Sequence, residues 1–366
     1  MAETEVTTPA AAIERDLLEK LHRLSSGHWF HELLVDTVRG YNADAAIEPA
    51  VSAAPLPAAE RIIRNASLKA ALLGTGAAAI TTGGAIWTSQ TQGVAGLVAV
   101  PVAGVAMLAD LMTRARVVVR MSCEIADQFG IRFDPQDPSD LAQVHAVAGE
   151  SVQQPEGGDG RGHDLLESVV SQHQEQLASA VGSNAVAETL MRNVVPVVGL
   201  LNSGLTSYRL TQRVGHTLLH YSRARRALED AIRPIEEAAP QLVDLLVESV
   251  WFVFTSDGQL NAHQTALLAH LLHRRPEAVR HAVLERLHDD EASWLQRLEE
   301  VPTELREPFL HVLAVACATE TTVPATERAL LERAARALSV SAMDGQLEEL
   351  ARRFGELGLA AAAQPS

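Results

Sequence analysis

Aromatic residues are scarce in this 366-residue chain, at 4% against a hydrophobic content of 47%. Ala, Val and Leu supply most of the apolar mass. Sandwiches and barrels draw on Val, Ile, Tyr, Phe and Trp, whereas small aliphatic residues favour closely packed helices, so the expected fold class is all-α. Cysteine is limited to Cys123 and Cys317, each inside an apolar run with no Cys or His at ligand spacing. That spacing argues against a disulfide framework or a zinc knot. Lysine occurs only at Lys20 and Lys69, so the cationic charge is almost all Arg. The net charge is −16 and no basic stripe carries interleaved aromatics, which argues against a nucleic-acid partner.

The chain also lacks the signatures of common chemistries. It has no G-x-S-x-G elbow, P-loop, dinucleotide fingerprint or paired catalytic carboxylates. The glycine-rich run at 157–162 follows no strand pattern, so phosphate binding is not expected there. These absences lead to the expectation of a protein that is not an enzyme and has no cofactor. The opening MAETEVTTPAAAIERDLLEK is acidic and polar, unlike a signal peptide. A cytoplasmic location is therefore expected, with peripheral attachment at the inner face of the cell membrane as its extension.

Charge is missing altogether from Ala70 to Ala109. The polar run Thr88–Gly93 divides this stretch into two apolar arms, each short against the roughly 20 residues that cross a bilayer as a helix. Glycines in both arms permit close helix approach. A hairpin of two helices, packed or membrane-inserting, is expected. Leu73, Ile80, Trp87, Leu97, Val100 and Val105 are its candidate contacts with lipid or an apolar partner. Lys69 and Asp110 flank the stretch, where a charge pair would fix the hairpin's base. Arg114, Arg116 and Arg120 follow as a cationic flank suited to anionic headgroups.

Residues 1–57 read as an N-terminal helix and linker, 58–235 as one helical domain and 236–358 as a second. A polar, glycine-rich linker is expected at 151–163 and a flexible tail at 359–366. A long helix is expected at 165–192, and Asn202 is expected to satisfy backbone freed by Pro196 and Gly199. Within the second domain, Asp257–Leu268 and Glu320–Leu331 form a weak internal repeat. In each, an acidic residue in a turn and a later Gln or Glu are expected to cap a helix.

Residues 60–230 resemble the EcsC family of bacterial proteins. The resemblance rests on the glycine-rich apolar arms, Asp110, the Ile125–Gly130 run (IADQFG) and Val195–Asn202 (VPVVGLLN) before a helix to Tyr221 and Arg225. Residues 239–357 are similar to the TerB-like tellurite-resistance domain, whose A-D-G-x-I-x-x-x-E turn is used twice. Asp257, Gly258 and Leu260 match the first copy, with Gln264 in place of its Glu, and Val323 and Glu327 match the second. The resemblance implies acidic turns considered metal-binding, which points to Asp257, Glu320 and Glu327. The missing first Glu and second glycine depart from that pattern.

Several histidines fall at helical spacing, namely His28 and His31 with Glu32, His216 with His220, and His263 with His270 and His273. Such sets can chelate a metal, but solvated or boundary positions on amphipathic helices are the commoner outcome. The leading functional expectation is a membrane-associated or membrane-proximal adaptor in a bacterial stress or envelope pathway. Its partners would be a membrane surface or membrane protein, met through 70–109, and other proteins met through the C-terminal domain. The alternatives are a soluble helical protein that holds a lipid-like ligand, and a metal-binding protein that uses the His clusters and acidic turns.

Overall fold

The computed structural model describes residues 28–45, 52–90, 96–137, 140, 204–258, 260–287, 290–319, 323–341 and 344–362. For 28–31, 74–90, 96–111, 204–207, 262, 344 and 355–362 it describes the backbone alone. All regular structure among these residues is helical, with no strand, so the fold class is all-α. The helices are α1 (His28–Asp44), α2 (Pro55–Gln90), α3 (Gly96–Gln128), α4 (Gly204–Ala238), α5 (Val243–Phe254), α6 (Ala262–His273), α7 (Glu277–Arg286), α8 (Glu291–Leu298), α9 (Arg306–Ala318), α10 (Ala325–Ala337) and α11 (Asp344–Ala362). Short 3-10 turns at Pro240–Leu242 and Thr303–Leu305 precede α5 and α9.

Helices α2 and α3 form an antiparallel pair, because the start of one meets the end of the other where Ser52 N–H donates to Gln128 O at 3.0 Å. The end of α3 is fixed by glycine. Gly130 takes φ 70°, which frees Ile131 N–H to reach Ala126 O and Gly130 N–H to reach Asp127 O, both at 3.0 Å. This pairing satisfies the last carbonyls of the helix and turns the chain back beneath it. The same closure at the end of α10 uses Ser339 at φ 56°, a conformation that costs a side-chain-bearing residue energy.

Helix α4 is the spine. Its N-terminal half packs on α2 and α3, and its C-terminal half packs on α6, α9 and α11. Close approach to α2 requires Gly215, since a Cβ there would come within 2.7 Å of Ile63 Cγ1. Around α9, residues Val312–Ala318 are all buried and α4, α5, α10 and α11 pack against them. One hydrophobic core runs without a break from Leu34 to Phe354. The domain boundary expected near residue 236 coincides with the end of α4, but the core continues across it.

Two local expectations are corrected by the helix starts. Helix α6 is capped by Asn261 and not by Asp257. The Asn261 side chain accepts Gln264 N–H at 2.9 Å, and the Gln264 side chain accepts Asn261 N–H at 3.0 Å. Asp257 lies exposed in the preceding turn, which Gly258 closes at φ 76°. In the second repeat copy, α10 starts after Pro324 with no side-chain cap, and Glu327 in its first turn is buried.

Candidate functional site

The first candidate site is the base of the α2–α3 hairpin. Ala59, Ile63, Ala66, Ser67 and Ala70 of α2 are buried, as are Ala115, Val118, Val119 and Ser122 of α3. On the other side of α2, Leu68 and Leu72 are 51% and 73% exposed, one helical turn apart. They lead directly into the uncharged stretch. Lys69, Arg116 and Arg120 are exposed here, whereas Arg114 is buried and turned away from the flank expected of it. Leu73 is partly buried. The side chains of Ile80, Trp87, Leu97, Val100, Val105 and Asp110 lie outside the described residues, so no Lys69–Asp110 pair is assigned.

The second candidate is a buried charge cluster below that base. The turn after α3 brings Asp137 and Asp140 against α4 and α6. Asp140 is 2% exposed; its Oδ1 accepts from Arg225 Nη1 at 2.5 Å, and its Oδ2 accepts Asp134 N–H at 2.9 Å. Arg225 Nε also donates to Glu229 Oε1 at 3.1 Å, and His270 Nε2 lies 2.9 Å from that same oxygen. His273 Nε2 is 3.6 Å from Asp137 Oδ1. Burial pushes the Asp140 carboxyl up, with Arg225 opposing it. Burial also raises Glu229, but its bond from His270 and the charge of Arg225 outweigh this and draw it down to about 2.

Asp137, Asp140 and His270 place potential ligand atoms within 4.8 Å of one another, all on buried side chains. Both Asp140 oxygens are already engaged, however, and His270 Nε2 is committed to Glu229. Arg225 supplies the positive charge that a cation would bring. We read the cluster as an ion-pair network that fastens the turn after α3 onto α4 and α6.

None of Asp137, Asp140, Arg225 or Glu229 was among the sites expected from sequence. The only local signal is the Arg225–Glu229 spacing of four, which resembles many surface helix pairs. Of the metal residues implied by the TerB-like resemblance, Asp257 is exposed, Glu327 is buried on α10 and Glu320 lies outside the described residues. The His28 and His31 side chains, the linker 151–163, the helix expected at 165–192 and Asn202 also lie outside them.

Three rings meet where α4 faces α6. His263 packs 4.7 Å from the His220 ring and 5.8 Å, edge-on, from Tyr221. His220 Nε2 lies 2.7 Å from Thr319 O, so it carries the proton and donates it. The His263 Nε2 is enclosed and makes no hydrogen bond among the described residues. Burial holds His263 down to about 3 and also lowers His220. The buried Cys123 thiol is pushed up to about 12 by burial, away from thiolate chemistry.

The rings have a measurable consequence. In the unfolded chain His263 takes up a proton near pH 6.5, and in the folded protein only near 3. Its contribution to stability is complete above 6.5 and is lost as pH falls through that window, by at most about 1.4 kcal/mol per pH unit. Glu229 adds a second loss between 4.5 and about 2. Urea unfolding at pH 7 and pH 5 should show the first loss, and His263→Gln should flatten it. An unchanged pH slope in that variant would assign the acid sensitivity to other groups.

No family model, curated protein or solved structure matches the chain.

Proposed function

We propose that this protein is a non-enzymatic, membrane-associated adaptor that docks through the α2–α3 hairpin. The observation that carries the reading is how the hairpin is seated. Its base is buried in the core up to Ala70, and the exposed Leu68 and Leu72 lead from that base into forty residues without charge. Beyond the base, residues 71–90 continue α2 for about 30 Å, comparable with the hydrocarbon thickness of a bilayer. Among the described residues no helix is long and apolar enough to cross a membrane, so the proposal is attachment by a hairpin and not an ordinary spanning anchor.

The helices around α9 form the second half of the adaptor, where protein partners would bind. A groove of about 970 Å³ between α4, α9 and α11 offers them a surface, lined by Pro234, Leu310, Val315 and Leu350 with Asp230 and Glu307 among them. The resemblance to EcsC and TerB-like proteins is in keeping with a role in a bacterial envelope or stress pathway.

Fractionation of native cells tests the docking. Full-length protein is expected with membranes, and a variant with 74–111 replaced by a short Gly-Ser turn is expected in the soluble fraction. A high-salt wash and a carbonate wash then separate peripheral from integral attachment. A full-length protein that is wholly soluble, and stays so whatever is done to 74–111, would overturn the proposal.

A further inference from the structure

We infer that the hairpin's base is a binding collar for an anionic lipid surface, which rests on the hairpin reading above and adds the chemistry of the surface it meets. The chain carries a net charge of −16, yet its charge is reversed around the hairpin base. Across 55–73 of α2, 112–124 of α3 and 204–217 of α4, eight Arg and Lys residues stand against only Glu60 and Glu124. Seven of the eight, Arg61, Arg64, Lys69, Arg116, Arg120, Arg209 and Arg213, are exposed, and Arg114 is buried. Arg120 bonds Glu124 at 3.0 Å, and Glu60 faces His216 at 3.7 Å. Among the described residues, the other six exposed cations join no ion pair.

These cations come from three helices and fall within a band of about two to three helical turns. Gly215 of α4 packs on Ile63 of α2, and Ser52 marks where α2 begins beside the end of α3 at Gln128. Counting the helical rise from those ties brings Arg64, Arg116 and Arg213 level. Lys69 and Arg209 lie about one turn nearer the uncharged arms, alongside Leu68 and Leu72. A ring of guanidinium and ammonium groups just below an apolar projection matches the order of layers in a bilayer, with phosphates outside hydrocarbon.

The rest of the molecule sharpens the argument. Residues 236–358 hold 21 Asp and Glu against 11 Arg. An anionic membrane therefore repels most of this protein and attracts the hairpin base, which orients the approach collar-first. Phosphate oxygens of anionic phospholipid are the groups that fit, with Arg giving forked donors to each.

Vesicle flotation of the full chain tests the inference, with phosphatidylcholine alone and with equal parts of phosphatidylcholine and phosphatidylglycerol. Binding to the anionic vesicles should be stronger and should fall as salt is raised. The variant Arg64→Gln/Lys69→Gln/Arg116→Gln/Arg209→Gln should bind them at least about tenfold more weakly. Its four positions are exposed, so its melting curve should match wild type; if it does not, single variants Arg64→Gln and Arg209→Gln carry the test at several-fold each. Equal, salt-insensitive binding to both vesicles, or undiminished binding by these variants, would overturn the collar and leave hairpin docking intact. Binding to neither vesicle would overturn both.

Discussion

Replacing Arg225 by methionine is expected to destabilise the folded protein by about 3–5 kcal/mol, because the change leaves two carboxylates without their cation. Asp140 is 2% exposed, and water cannot easily replace the Nη1 contact at 2.5 Å. Glu229 would keep only His270. Burial already pushes Asp140 up, so in the variant it would take up a proton to avoid standing charged, and the cost would shrink as pH falls. The double variant Asp140→Asn/Arg225→Met removes both charges and should lose less than the sum of its two parts, since a neutral pair of similar volume can replace a buried ion pair. Urea unfolding of the four proteins measures this directly. A loss below about 1 kcal/mol for Arg225→Met would place the pair in the class of surface bridges and refute the network reading.

The helical class and the hairpin were legible in the sequence because both depend on local composition. A run of forty uncharged residues split by a polar hexapeptide needs no knowledge of distant contacts to be read as two arms. The buried network was not legible for the opposite reason. Asp140 and Arg225 are 85 positions apart, and nothing near Asp140 signals burial, since its turn (DPQDPSD) looks like a solvated loop. His270 had the spacing of a surface histidine, but it faces α4 and lies 4% exposed. Arg114 looked like a companion of Arg116 and Arg120, although two residues' separation on a helix turns it to another side. The cap of α6 lies four positions beyond Asp257, because Asp257 fits only the TerB-like turn pattern, while Asn261 meets the geometric need at the helix start.

The two candidate sites also explain one another. The network sits below the ends of α2 and α3 and partway along α4, on the side away from the arms, and it ties the turn that follows α3 to the spine. In the proposed docking the hairpin would transmit force to its base, and a base held only by apolar contacts would slide. The ion pairs of Arg225, the Ser52–Gln128 bond and the close fit of Gly215 on Ile63 fix both the height and the rotation of the three helices. These contacts below the exposed cations set the register at which each of them stands.

In the C-terminal half the largest expected loss comes from Trp294→Ala, at about 3–5 kcal/mol. The indole is fully buried on α8 and stacks on Phe252 of α5 at 4.8 Å between centroids, with 19° between the planes. Its Nε1–H donates to Ser249 Oγ at 2.9 Å, and Ser249 in turn donates to Leu245 O. Three residues on, Arg297 of the same helix reaches the buried Glu248 at 2.9 Å, and Arg286 of α7 bonds that carboxylate from the other side. Helix α8 is only eight residues long, too short to persist without such anchors. Removing the ring leaves a cavity beneath Phe252 and frees α8 to detach. Trp294→Phe keeps the stack and most of the volume, loses only the bond to Ser249, and should cost about 1 kcal/mol. Equilibrium unfolding of both variants separates the two contributions. Near-equal losses would mean that the hydrogen bond, and not the packed ring, is what holds α8 to α5.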